Sequence, residues 1–193
     1  MTLLPCDRVT PQPWKNGGGL TRELLAWPSP TREGSDWALR ISVADIRADG
    51  PFSAFPGVDR WFAVLEGAGV LLSLPDGKHT VQVDGTPLPF RGEAAPPCEL
   101  LDGPTRDLNL MIRREAGRGG MQRAQPGEDF GSRGNFRALF TVDPLTLQID
   151  GADAAHVPAM ALVWADGGAH GLWRIAADTP RRAWWIHFQP RPA

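Results

Sequence analysis

Between positions 37 and 44 the chain alternates cleanly, with Trp37, Leu39, Ile41 and Val43 set against Ala38, Arg40, Ser42 and Ala44. Apolar residues at every second position give a strand one face for the core. Arg40 and Ser42 then share the other face, which is either solvated sheet or the wall of a barrel mouth. A second alternation, Leu108, Leu110 and Ile112 against Asp107, Asn109 and Met111, predicts a strand with Asp107 and Asn109 on one side. That side either lines a barrel or is the polar surface of an edge strand. Trp61-Phe62-Ala63-Val64-Leu65 is apolar throughout, as in a strand buried on both faces, and Asp59 and Arg60 lead straight into it. A guanidinium at that lip needs an anion, whether Asp59, Glu66 or a bound carboxylate.

Shorter runs at 20–27, 70–74, 79–83 and 88–90, and later at 136–142, 145–149, 159–164, 172–176 and 183–188, also read as strands. The turn residues between them recur at the spacing of sandwiches and barrels. Residues 28–36 read as a turn-rich loop, and the Gly-, Arg- and Gln-rich stretch 117–133 as a linker between two halves. Residues 50–60 hold two prolines, two glycines and two phenylalanines, which predicts an ordered loop pinned by Phe52 and Phe55. Trp184-Trp185 predicts one core ring and one interface or surface ring, because neighbours on a strand face opposite ways.

The most polar cluster surrounds three glycines, in Pro13-Trp14-Lys15-Asn16-Gly17-Gly18-Gly19-Leu20-Thr21-Arg22-Glu23. Glycines impose no side chains, so Lys15 and Asn16 can approach Thr21 and Glu23, and strand geometry sets Thr21 and Glu23 on one face. The run lacks the G-x-x-x-x-G-K-[ST] order of a phosphate loop.

Composition narrows the function. The 193 residues carry a net charge of -2 with the basic residues dispersed, which gives no footprint for nucleic acid. No long apolar run and no basic leader is visible, so the expectation is a cytoplasmic protein without membrane contact. Cys6 and Cys98 are too few for a disulfide framework. The four histidines, His79, His156, His170 and His187, are widely spaced, with no carboxylate at ligand spacing.

Val64-Leu65-Glu66-Gly67-Ala68-Gly69 followed by an apolar strand resembles the turn of a first cupin motif. The larger set, 13–23 with Arg40-Ile41-Ser42, 50–60 and 107–114, resembles the HutD/Ves family. The resemblance spans 13–114 and implies an all-β bicupin, with two cupin-like antiparallel β-barrels of the RmlC-like jelly-roll type. The expected layout is a single bicupin unit over 1–193, with a first half over about 1–116 carrying the family motifs and a second over about 130–193. Metal-binding cupins keep histidines and a glutamate where this chain has Ala54, Pro56 and Arg60, and 91–101 holds no histidine. No metal and no cofactor is therefore expected, and Arg60 would offer its guanidinium to a carboxylate or formyl oxygen.

The function so implied is a metal-free, carboxylate-binding regulator associated with histidine utilisation, with N-formylglutamate, urocanate or formate as ligand. A stress-related role stays open beside it. The candidate ligand-binding residues are Lys15, Asn16, Thr21, Glu23, Ser42, Phe52, Phe55, Arg60, Asp107 and Asn109. The alternative is a metal-independent cupin isomerase or epimerase, with Glu23 or Asp107 as base and Lys15 or Arg60 steadying an enolate. The expected partner is a small carboxylate or formylated molecule, and a homodimer is left open.

Overall fold

The computed structural model describes residues 1–28, 37–131, 136–151, 154–166, 171–176 and 181–192. All of the expected 28–36 loop but Pro28, and also His170, lies outside them. The fold is all-β, and the chain divides into two units, Val9–Gly117 and Met1–Arg8 with Arg118–Ala193.

In the Val9–Gly117 unit, six strands run in the order Gln12–Pro13, Gly19–Trp27, Leu39–Ile46, Thr105–Arg113, Val58–Glu66 and Leu88–Arg91. The strands Gly50–Pro51, Pro97–Leu100, Val70–Leu74 and Gly77–Val81 form a second sheet. Ile46, Phe62 and Val64 of the first sheet share one core cluster with Val70, Leu72, Val81 and Cys98 of the second. The unit is thus a double-sheet jelly roll, packed face to face and not closed into a cylinder as the word barrel suggests.

The other unit has a five-stranded sheet, in the order Thr2–Pro5, Ala161–Asp166, Phe136–Thr141, Ala183–Pro190 and Gly117–Arg123. Its four-stranded sheet joins Asp129–Phe130, Trp173–Ile175, Leu145–Ile149 and Ala155–Val157. Leu139, Val163 and Trp185 of the first meet Phe130, Leu147 and Trp173 of the second in one core. Trp184 and Trp185 are both buried, at 0% and 1% exposure, so neither is a surface ring. Trp185 stacks on Phe130 at 4.7 Å, while Trp184 lies 6.3 Å from Phe140.

One further expectation changes, and one strand was not foreseen. Residues 117–123 are a strand and not a linker, because pairing with Ala183–Pro190 supplies the backbone partners that glycine-rich sequence does not advertise. Thr2–Pro5 also joins a sheet, pairing Leu3 with Val163, and its closing proline is tolerated on an edge strand. The Glu66–Gly69 turn needs its glycines. Gly69 sits at φ +111°, and a Cβ there would stand 2.4 Å from the Val81 carbonyl oxygen.

Candidate functional site

The register of the six-stranded sheet decides which polar residues meet. Ser42 lies opposite Asn109, which lies opposite Phe62, while Arg40 and Arg60 flank Met111 in the next row. These inward-facing rows, the Pro13–Asn16 segment and the Phe52–Phe55 loop border a cavity of about 500 Å³. Of the residues expected from the sequence, Lys15, Asn16, Thr21, Ser42, Phe52, Phe55, Arg60 and Asn109 border it.

Arg60 is the unusual member. Its side chain is only 5% exposed, and Nη2 donates to the Asn109 Oδ1 at 2.7 Å. Nε and Nη1 are sealed from water and have no hydrogen-bond partner. The guanidinium carbon lies 4.9 Å from the Phe52 ring centre, 5.0 Å from that of Phe90 and 5.7 Å from that of Phe55. Cation–π attraction offsets part of the desolvation but supplies no acceptor. Burial, aided by the nearby positive charge of Arg40, pulls its pKa down to about 10, so it remains charged at neutral pH. Its expected anion at the strand lip is not Asp59, whose carboxylate instead takes Arg91 and Arg114.

Glu23 and Asp107 do not border the cavity. A bulge between Glu23 and Leu25 and the end of the short Gln12–Pro13 edge strand leave Glu23 half-exposed, and its Oε2 accepts from Arg40 Nε at 2.5 Å. Asp107 shares the inward face with Asn109 but lies deeper, opposite Ala44 and Val64. It is 0% exposed, with Oδ2 accepting from Thr105 Oγ1 at 2.9 Å and Oδ1 unpartnered. Burial raises its pKa well above the usual carboxylate range, outweighing the Thr105 hydrogen bond. No carboxylate therefore borders the cavity among the described residues, and the isomerase reading lacks a base at its wall.

Arg40, absent from the candidate set, borders the cavity too. The signal for it was its place on the same face as Ser42. The cavity wall thus carries three cations, Lys15, Arg40 and Arg60, with the hydroxyls of Thr21 and Ser42 and the amides of Asn16 and Asn109.

The glycine-rich segment folds back on itself. The Trp14 N–H donates to the Gly19 carbonyl at 2.9 Å, the Gly17 N–H to the Trp14 carbonyl at 3.0 Å, and the indole N–H to Thr21 Oγ1 at 2.7 Å. Gly19 is packed so closely that a Cβ would stand 2.5 Å from the Asp45 carbonyl oxygen and 3.2 Å from the Trp14 ring. The triple glycine here permits close approach and is not a phosphate cradle.

The aromatic loop is clamped at its far end. Glu93 accepts from the Gly57 N–H at 2.8 Å and pairs with Arg114, whose Nη1 also reaches the Asp59 carboxylate at 2.9 Å. The Arg114 guanidinium and then the Gly57 N–H hold Glu93 down at about 2, below its ordinary 4.5. A depressed carboxylate pKa contributes stability above the unfolded value and loses it as pH falls from 4.5 through about 2. Glu93→Gln is therefore expected to melt at a temperature less dependent on pH across that window than the parent, and parallel profiles would contradict the clamp.

The donor set does not suit a metal. Arg60, Asn109 and Ser42 stand along the cavity wall, and among the described residues no three His, Cys, Asp or Glu side chains gather to hold an ion. Nor does any described helix have the length and apolarity to cross a membrane.

Comparison with known proteins gives a consistent picture. The HutD family model matches residues 7–181. A 21.2 kDa uncharacterised protein from the hutC 3' region of Pseudomonas putida is 34% identical over 122 residues, 63% of each chain. Protein Ves of Citrobacter koseri is 38% identical over 124 residues, again 63% of each. The chain thus spans a little under two thirds of the length of these relatives. HutD from Pseudomonas fluorescens SBW25, solved in a formate condition, superposes with a TM-score of 0.85 at 26% identity, covering 99% of both chains. A cupin 2 conserved barrel protein from Leptotrichia buccalis shares the fold, with a TM-score of 0.58 at 13% identity over 97% of this chain and 96% of that one.

Proposed function

The chain belongs to the HutD family, and from that premise and the chemistry of its cavity we propose a metal-free binding protein for a small carboxylate, regulatory in histidine utilisation. The observation that carries the reading is Arg60, a charged guanidinium at a cavity wall with two unpartnered nitrogens. An incoming carboxylate would supply the missing acceptor and the missing negative charge together, at about 1.5–3 kcal/mol for each charge-assisted hydrogen bond. Nε and Nη1 are sealed, so the acid reaches them by displacing Phe52 or Phe55, whose loop forms the cavity wall. The place of the Pseudomonas putida relative beside hutC and the formate condition of the Pseudomonas fluorescens structure support acids of histidine breakdown as candidates. N-formylglutamate, urocanate and formate all present the oxygen pair that Arg60 lacks.

The test is thermal melting with formate, urocanate and N-formylglutamate beside formamide and urocanate methyl ester, with proton exchange followed in deuterium oxide. A binding protein is expected to gain a few degrees with the acids alone, because ligand at 100 times its Kd adds about 2.7 kcal/mol. No solvent exchange into any acid is expected. Equal stabilisation by the neutral controls, or no response to any acid, would end the carboxylate reading, and exchange would turn it toward an isomerase.

A further inference from the structure

The cavity holds more positive charge than one carboxylate needs. Arg60 lies deep, at 5% exposure, while Arg40 stands nearer solvent, with its side chain 22% exposed. Their strands are both neighbours of Thr105–Arg113, and both residues sit opposite Met111, so two strand spacings, roughly 10 Å, separate their backbones. Met111 between them contributes a thioether and no charge, its Sδ lying 4.0 Å from Arg40 Nη1. Arg40 is close enough to bear on the protonation of Arg60, so each cation makes the other costlier until anions arrive.

Arg40 already has an acid, though one from outside the cavity wall. Glu23 reaches its Nε from a neighbouring strand with 47% of its side chain exposed. An ion pair this open to water contributes little to stability, so replacing it costs little. Glu23 therefore holds the guanidinium that a ligand's own acid would otherwise pair with, and it leaves Arg60 unserved.

Resting on the carboxylate reading of this cavity, we propose that the natural ligand carries two acidic groups, one bound by Arg60 and the other by Arg40 in exchange for Glu23. The site then selects small dianions over monoacids of the same shape, and Glu23 is its internal competitor. Formate, with one acidic group, fills only the Arg60 position.

Calorimetric titration with glutarate, its monoamide glutaramate and formate tests this on the intact protein and on Arg40→Gln and Glu23→Gln. Glutarate and glutaramate share length and shape and differ by one charge. The parent is expected to bind glutarate at least about tenfold more tightly than glutaramate, the range of one charge-assisted hydrogen bond. Arg40→Gln should erase that preference, so that glutarate and glutaramate bind it equally. Glu23→Gln should tighten glutarate severalfold, because the competitor is gone. Formate binding alongside equal affinity for glutarate and glutaramate would overturn the two-anchor inference alone. Weaker glutarate binding by Glu23→Gln would overturn the exchange. Failure of all three acids to bind would remove the carboxylate reading, and this inference with it.

Discussion

Arg60→Met is expected to abolish stabilisation by carboxylates, with an affinity loss of more than about a hundredfold, while the protein stays folded. Two lost charge-assisted hydrogen bonds at about 1.5–3 kcal/mol each give that factor or more. The fold has little to lose. Arg60 has one hydrogen bond, to Asn109, and two nitrogens buried without partners, so the parent already bears a desolvation cost that methionine removes. Methionine keeps similar length and packs well among the Phe52, Phe55 and Phe90 rings, whereas the freed Asn109 oxygen costs about 1–3 kcal/mol. Unfolding in urea is expected to place the variant within about 2 kcal/mol of the parent, and equilibrium dialysis should find no bound formate. Parental affinity in a folded Arg60→Met protein would show that the arginine is not the anchor.

The second large effect is a gain. Asp107→Asn should stabilise the protein at neutral pH by about 1–3 kcal/mol, the cost of a buried polar group left short of partners. The carboxyl is raised well above its ordinary 3.8 by burial, so the folded state holds a proton that the unfolded chain releases. Stability from this group is complete below 3.8 and falls as pH rises from there toward the raised folded value. Asparagine does not titrate and removes that slope. Urea unfolding at a series of pH values from 4 to 8 should show the variant's advantage growing with pH, and a constant difference would contradict a protonated Asp107. Burial likewise pushes the Cys98 thiol up to about 12, so no reactive thiolate sits in this core.

Sequence periodicity located most of the sheet because strand burial leaves a direct trace in it. The alternation at 37–44 and 107–112 placed Ser42 and Asn109 on the inward face, where the register pairs them directly. Gly117–Arg123 and Thr2–Pro5 left no such trace, since glycines and prolines mask strands whose hydrogen bonds come from distant partners. The jelly-roll pairing of two sheets was likewise legible only through the family resemblance, because sheet-to-sheet packing depends on contacts remote in sequence.

At the cavity, the place of Arg60 at the lip of a buried strand was readable. Its freedom from Asp59 was not, because Asp59 is drawn off by Arg91 from the neighbouring strand and by Arg114 from the turn after Thr105–Arg113. Glu23 was misplaced for a local reason. The bulge after it and the shortness of the neighbouring edge strand let its carboxylate swing to Arg40. Asp107 was put on the correct face, but a period of two says nothing of depth along the strand, and depth separates it from the cavity.

The role proposed for Arg60 is to anchor a carboxylate. Its most direct measurement is a crystal structure of the protein grown with the most stabilising acid. A carboxylate oxygen is expected about 2.7–2.9 Å from Arg60 Nε or Nη1, with the Phe52 or Phe55 ring moved aside. An acid bound elsewhere, with both nitrogens still unpartnered behind their phenyl rings, would contradict it.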